Sequence, residues 1–111
     1  LAPERRRAAE ALLLRRAVPP GAVAVALDEH GQDPSSVELA ARLGRWRDEG
    51  RAGAAFLIGG PDGHDPELLA TCAWRLALGR LTWPHRLVRP MLAEQLYRAT
   101  TILSGHPYHR A

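Results

Sequence analysis

The stretch AAFLIGGPDGHDPELL, residues 54–69, decides the fold that the sequence predicts. Its first five residues are an apolar run without polar alternation, which is typical of a strand buried on both faces. A pair of glycines follows, and Asp65 before Pro66 predicts a helix start, with an N-cap and a proline at the first helical position. We expect this helix to run to about Arg75. Strand, glycine turn and helix in this order are how α/β folds present backbone N–H groups to a ligand.

Similar signals recur on both sides of this stretch. Residues 22–27 (AVAVAL) are another buried apolar run, and residues 81–83 (LTW) are predicted as a third strand that ends at Pro84. Further helices are predicted over residues 3–17, from Ser35 to Gly50, and over residues 88–103. The alternation of helices and strands predicts an α/β protein with a parallel sheet, folded as a single domain.

For two of the helices, the sequence also predicts which residues face the core or cap the helix. On the first, Ala8, Leu12 and Leu13 are expected to face the core while the arginines face water. On the second, Ser35 and Glu38 have the spacing of a capping box, in which side chains and backbone N–H groups satisfy each other.

Composition narrows the class of protein. The 111 residues carry a net charge of +3, and all 15 basic residues are arginine. Arginine suits phosphate recognition, so RNA is a candidate partner, although a general bias towards arginine explains the same content. No apolar run approaches the roughly 18 residues of a membrane span, so no membrane partner is expected. Cys72 is the only cysteine, which excludes a disulfide within the chain and fits a cytoplasmic protein.

The residues that follow the two apolar runs form a candidate ligand site. Gly59, Gly60 and Asp28 are expected at the carboxyl edge of the sheet, where open parallel sheets bind ligands. Turn formation explains the same residue types, and neither a Walker A loop nor a dinucleotide fingerprint is present. His106 and His109 suggest a metal, but two histidines without a third ligand make a zinc site improbable, and no metal is expected.

Three segments and a dipeptide together resemble a known family. They are LIGGPDG (57–63), LTWPHRLVRPMLAEQLYRAT (81–100), HPYHR (106–110) and the Leu27-Asp28 pair. In this order and spacing they resemble the RlmH (YbeA-type) family, the large-subunit ribosomal RNA pseudouridine N3-methyltransferases of the SPOUT superfamily. The resemblance runs from Ala22 to the final residue.

The resemblance implies a parallel-sheet SPOUT methyltransferase fold with a deep trefoil knot in its C-terminal half. It also implies a homodimer, S-adenosylmethionine as methyl donor, and a pseudouridine of 23S ribosomal RNA in assembled ribosomes as substrate. The cofactor residues that it implies are Leu27, Gly60, Gly79, Arg80, Leu81, Thr82, Trp83 and Pro84.

The resemblance also implies where the reaction and the RNA contacts lie. The catalytic candidates are Tyr108, His109 and Arg110, with His109 as the first candidate to accept a proton. RNA contacts are expected from His85, Arg89 and Arg98. We expect the C-terminal tail to be ordered, near the dimer interface and beside Gly60.

Two departures from the family pattern bear on these expectations. Residues 1–111 are expected to form one SPOUT domain without the N-terminal strand–helix segment of the family. Pro90 is tolerable only if the last helix starts late, since a proline inside a helix costs on the order of 3 kcal/mol. The alternative functions are a non-catalytic RNA- or nucleotide-binding α/β module and a knotted methyltransferase acting on tRNA.

Overall fold

The computed structural model describes residues 2–60, 63–79, 81, 83–105 and 108. Within these residues the elements in chain order are α1 Pro3–Ala17, β1 Val23–Gln32, α2 Ser36–Asp48, β2 Ala54–Ile58, α3 Pro66–Thr71, β3 Trp74–Leu76 and α4 His85–Ser104. The three strands form one parallel sheet in the order β2-β1-β3, so β1 is the central strand. The predicted α/β architecture with a parallel sheet is confirmed.

Helices cover both faces of the sheet. On one face, the core that the sheet shares with α2 and α4 includes Val23, Val25, Leu39, Trp46, Leu76 and Leu92. On the other face, Ala11 of α1 and Leu68 of α3 pack with Leu57 of β2. Burial on both faces is the reason that the β1 and β2 segments show no polar alternation in sequence.

The third strand is not where the sequence predicted it. Helix α3 ends at Thr71 rather than near residue 75, and Trp74–Leu76 forms β3 beside β1. Trp74 and Leu76 are buried while Arg75 between them is exposed, which is the alternation of a strand. Leu81 lies outside any strand with its side chain 70% exposed, so the prediction of a strand over residues 81–83 is wrong.

Helix α1 has the predicted bounds, but it packs through a different face. Ala11 is buried and Leu14 is partly buried against the sheet, whereas Leu12 and Leu13 are 51% and 65% exposed, and Ala8 is exposed as well. The prediction that Ala8, Leu12 and Leu13 face the core is therefore wrong. Apolar residues occupy two adjacent stripes of this helix, and helical spacing alone does not say which stripe meets the sheet.

The predicted capping box at the start of α2 is confirmed. The Glu38 N–H donates to Ser35 Oγ (3.1 Å), and the Ser35 N–H donates to Glu38 Oε1 (3.0 Å). The hydrogen bond from the Ser35 N–H, and after it the interaction with the Ser35 side chain, lower the pKa of the Glu38 carboxyl. At α3, Asp65 occupies the predicted N-cap and Pro66 the first helical position, but the Asp65 side chain makes no capping hydrogen bond to the described backbone.

Helix α4 begins at His85, earlier than the expected residue 88, so Pro90 lies inside the helix. The proline removes the hydrogen bond that its position would otherwise donate to the carbonyl of Arg86. The expectation of a late start is wrong: the helix accepts the proline near its N-terminus. None of the helices in the described part of the chain combines the length and apolar composition that crossing a bilayer requires.

Candidate functional site

The carboxyl ends of the three strands open into one cleft of about 790 Å³, which we call the strand-end cleft. This volume lies within the range of about 300–1,000 Å³ that is usual for small-molecule sites. The described lining includes residues 27–30 in the second half of β1, the glycine turn after β2, and the segment 76–79, which begins at the last residue of β3. A site at this edge is what the parallel order of the strands predicts.

The predicted cofactor residues can now be placed. Leu27, Gly60, Gly79, Leu81 and Trp83 all line the strand-end cleft. Pro84 is the N-cap residue of α4 and is not part of the described lining. Arg80 and Thr82 lie outside the described residues. Cofactor binding by this set remains a prediction.

The end of β1 departs from regular pairing at the cleft. Leu76 of β3 is the partner of both Leu27 and Gln32, so residues 28–31 form an irregular excursion between two paired positions. This excursion places Asp28, Glu29 and His30 on the cleft, where the His30 N–H donates to Asp28 Oδ1 (3.2 Å). Sequence reasoning singled out Asp28 but missed its two neighbours, although three successive polar residues after an apolar run were a usable signal.

Gly31 closes this excursion by packing directly on the backbone of β3. A Cβ atom at Gly31 would lie 2.6 Å from the carbonyl carbon and oxygen of Arg75 and 2.9 Å from the backbone nitrogen of Leu76. Only glycine lets the two strands approach this closely, because backbone atoms cannot move aside as a side-chain end can.

The turn after β2 is held by a residue of α1. The Gly60 N–H donates to Glu10 Oε1 (2.9 Å), and the Gly60 carbonyl accepts from the Gly63 N–H (3.0 Å). A Cβ atom at Gly60 would lie 2.6 Å from Glu10 Oε2, so the carboxylate covers the glycine. Sequence reasoning identified Gly60 but had no signal for Glu10, which lies far away in the chain.

His64 packs beneath the same turn and lines the cleft. Its Nε2 lies 2.9 Å from the Leu57 carbonyl oxygen, so Nε2 carries the hydrogen and donates. The Nδ1 atom of the same ring is buried and has no hydrogen-bond partner among the described residues. The imidazole also lies close to Gly59, where a Cβ atom would be 3.2 Å from the ring.

The opposite wall of the cleft is fixed by Trp83. Its indole Nε1–H donates to the Leu78 carbonyl (2.7 Å), which ties the segment before α4 to the segment after β3. Gly79 has a positive φ of 94°, a conformation that favours glycine. Trp83 is 39% exposed, so part of its ring remains accessible at the cleft.

The one described residue of the C-terminal tail beyond Gly105 packs on α4. Tyr108 donates its hydroxyl hydrogen to Glu94 Oε1 (3.0 Å) and stands edge-on to the Tyr97 ring at 4.9 Å. The Arg98 guanidinium lies 5.2 Å from the Tyr108 ring centroid and 2.8 Å from Glu94 Oε1. The hydrogen bond to Glu94 raises the pKa of Tyr108. Tyr108 is not in the lining of the strand-end cleft, so the expected position of the tail beside Gly60 is not found for this residue.

Glu94 belongs to a second cleft of about 670 Å³ between α2 and α4. The two clefts share the segment 76–79 as a common wall. Ser36 at the start of α2 donates its hydroxyl hydrogen to Gln95 Oε1 of α4 (2.8 Å), which joins the two helices along this second cleft.

The remaining site predictions fall partly outside the described structure. His109 and Arg110 lie outside the described residues, as does the side chain of His85. Arg89 is exposed on α4, and Arg98 is engaged with Glu94. Among the described residues, no three His, Cys, Asp or Glu side chains are grouped so that they could hold a metal ion.

Comparison with known proteins defines the family. Residues 1–109 match the model of the family described as "Predicted SPOUT methyltransferase", and the chain belongs to this family. The chain is 58% identical over 101 residues to "Ribosomal RNA large subunit methyltransferase H" of Roseobacter denitrificans, which is 91% of this chain and 65% of that protein. It is 60% identical over 102 residues to the protein of the same name from Paracoccus denitrificans, covering 92% of this chain and 65% of that protein. The chain thus spans about 65% of the length of these relatives.

Proposed function

We propose that the protein is an S-adenosylmethionine-dependent methyltransferase that modifies N3 of a pseudouridine in large-subunit ribosomal RNA. The observation that carries the proposal is the strand-end cleft, which gathers Leu27, Gly60, Gly79, Leu81 and Trp83 in a SPOUT-family chain. The names of relatives at 58% and 60% identity support the substrate class. The proposal includes a cytoplasmic protein that acts on assembled ribosomes.

The lining of the cleft fits this cofactor. Leu27, Leu76 and Leu78 provide an apolar surface beside Trp83, and such a surface suits a flat adenine ring. Asp28 and its neighbour Glu29 add carboxylates at one end, which suit ribose hydroxyls and the positive charges of the cofactor. When bound, S-adenosylmethionine supplies a methyl group activated by its sulfonium.

The residues of this chain would act mainly by orientation. The residues at the strand ends would hold the cofactor so that its methyl group keeps one direction, and fixed geometry alone lowers a barrier substantially. We assign the removal of the N3 proton to His109, with its neighbours in sequence, Arg110 and Tyr108, as the other catalytic candidates. Arg89, Arg98 and His85 are assigned to RNA contacts. Arg89 is the exposed cation among the described members of this set, whereas Arg98 would have to exchange Glu94 for a phosphate.

We also propose that the protein is a homodimer with the trefoil knot of its family. The support for the dimer is a group of exposed apolar side chains around α4, where Leu87, Tyr97 and Tyr108 are all about half exposed. Exposed apolar groups of this kind are frequent at protein interfaces. Analytical ultracentrifugation measures the mass directly, and a monomer at micromolar concentration would contradict the dimer. Family membership supports the knot, and a crystal structure would test it.

Two measurements test the proposed activity. Calorimetry should detect binding of S-adenosylhomocysteine, and tritiated methyl groups should enter ribosomes that lack the modification. The change Gly60→Trp should abolish both, because Gly60 lines the cleft, where the indole would take up space, and even a Cβ atom there would displace Glu10 Oε2 at 2.6 Å. Trp83→Ala, which removes the accessible ring without adding bulk, should weaken binding. Val37→Trp, at an exposed position of α2, is the matched control and should bind normally.

The possible results separate the proposal from its alternatives. Intact binding in a folded Gly60→Trp protein would contradict the cofactor site. RNA binding without methyl transfer by the wild type would favour a non-catalytic binding module. Transfer to tRNA in place of ribosomes would favour the other knotted methyltransferases.

A further inference from the structure

Glu10 is the residue that joins α1 to the glycine turn of the cleft. Its Oε1 accepts the Gly60 N–H at 2.9 Å, and its Oε2 would lie 2.6 Å from a Cβ atom at Gly60. Both carboxylate oxygens therefore lie against the glycine. This contact spans 50 positions of the chain and is partly buried.

The position of Glu10 is set by the packing of its neighbour in sequence. Ala11 is 4% exposed and packs with Leu57 of β2 and Leu68 of α3. Leu57 lies three residues before Gly60 in the chain. The apolar contact thus holds α1 over the carboxyl end of β2, and the carboxylate reaches the turn from a fixed helix. A hydrogen bond from a preorganised group loses little entropy when it forms.

Glu10 and Gly63 together satisfy both backbone polar groups of Gly60. The N–H donates to Glu10, and the carbonyl accepts from Gly63. A ligand in the cleft would meet a Gly60 whose backbone is already held from both sides. We infer that Glu10 is a positioning residue, whose carboxylate holds the glycine turn in the conformation that the cofactor site requires. The inference rests on the proposed function.

The opposite role for Glu10 would be to compete with a ligand for the Gly60 N–H. The carboxylate of a cofactor would then displace Glu10 and bind the same N–H. The packing of Ala11 keeps α1 in place, so the displaced Glu10 carboxylate would remain beside the incoming one. Two like charges a few ångströms apart repel each other, more strongly in a partly buried site than in water. The geometry therefore favours positioning over competition.

The two roles predict opposite effects of removing the carboxylate. In the complete natural chain, Glu10→Ala should raise the dissociation constant of S-adenosylhomocysteine about tenfold. The reason is that the variant loses the hydrogen bond between the Gly60 N–H and a charged carboxylate, and this hydrogen bond shapes the site. KM for S-adenosylmethionine should rise in parallel with little change in kcat. Glu10→Gln retains a carbonyl oxygen as acceptor and should recover most of the affinity. Glu4→Ala, at an exposed position in the first turn of α1, is the matched control.

A second measurement tests the hydrogen bond between Glu10 and Gly60 in the absence of any ligand. In nuclear magnetic resonance of the ligand-free protein, the Gly60 amide should be protected from hydrogen exchange in the wild type and in Glu10→Gln. It should exchange faster in Glu10→Ala, while amides in β1 keep their protection. This pattern would support the hydrogen bond and show that the variant remains folded.

The outcomes are distinguishable from those of the proposed function. Weaker binding in Glu10→Ala together with recovery in Glu10→Gln supports the inference. Unchanged or tighter binding in Glu10→Ala overturns it and leaves the proposed function intact. If the wild type neither binds the cofactor nor transfers methyl groups, the proposed function fails, and the role of Glu10 in cofactor binding fails with it. Gly60 exchange would then still decide whether Glu10 holds the turn.

Discussion

Replacing Gly31 with alanine tests the close contact between β1 and β3. The added methyl group would lie 2.6 Å from the carbonyl carbon and oxygen of Arg75 and 2.9 Å from the nitrogen of Leu76. Ordinary contacts of a Cβ atom begin near 3.4 Å. All three neighbours are backbone atoms of the adjacent strand, so the clash is relieved only if β1 and β3 separate.

The expected loss of stability follows from two opposing effects. Overpacking of this kind costs roughly 1–3 kcal/mol. Gly31 does not have a positive φ, so alanine can adopt its backbone conformation and lowers the entropy of the unfolded chain, which returns roughly 0.4–1 kcal/mol. The free energy of unfolding should therefore fall by about 1–2 kcal/mol. Because residues 28–30 line the cleft, cofactor binding should weaken as well.

The assay is denaturant unfolding of the variant beside Gly44→Ala. Gly44 lies within α2, and a Cβ atom there would meet only the flexible end of the Leu103 side chain at 3.0 Å and the end of the Arg47 side chain at 3.7 Å. Alanine also favours the helix by about 1 kcal/mol. Gly44→Ala should therefore be as stable as the wild type or more stable. If Gly31→Ala unfolds at the same denaturant concentration as the wild type and binds the cofactor normally, the reasoning is refuted.

Three further results are expected. Ser35→Ala removes the acceptor of the capping box and should lower the free energy of unfolding by about 1 kcal/mol in denaturant titration; an unchanged midpoint would show that the box contributes nothing. The hydrogen bond to Glu94 raises the pKa of Tyr108 above its usual value near 10, so the contact is present below that pH and is lost as the pH rises through the raised pKa. Ultraviolet titration of the wild type should therefore show a late-ionising tyrosine that is missing in Tyr108→Phe, and a wild-type titration without this late phase would contradict the contact. Burial raises the pKa of the Cys72 thiol, which donates to the Leu68 carbonyl at 3.4 Å, so at mildly alkaline pH its alkylation should be slower in the folded protein than after denaturation. Equal rates in the two states would contradict the burial of the thiol.

The sequence predicted those parts of the fold that depend on local signals. The segments that became β1 and β2 are apolar on both faces, and Ser35 with Glu38 has the unmistakable spacing of a capping box. Residues at the ends of these strands could be assigned to one edge because parallel strands share it, which placed Leu27 and Gly60 near each other. The other predicted cofactor residues came from resemblance to a family.

The errors concern features that depend on tertiary packing. Strand β3 (Trp74–Leu76) is only three residues long and follows soon after α3. Its alternation of buried and exposed residues is therefore too short to distinguish a strand from a continuation of the helix. The buried face of α1 depends on which stripe meets Leu57, and the chain offers two. The same limit applies to the site, where the contact of Glu10 with Gly60 joins residues that no local pattern connects.

The central position of β1 has a consequence for how the chain folds. Val23 pairs with Ala54 and Val25 with Trp74, so both described partners of β1 lie far downstream of it in the chain. Neither of these two pairings is a hairpin, and each closes a long loop before it gains any hydrogen bond. Since synthesis proceeds at roughly 5–20 residues per second, β1 is synthesised seconds before either of these two partners is available. The apolar surface that lets β1 lie at the centre of the native sheet is therefore open to wrong partners during this interval.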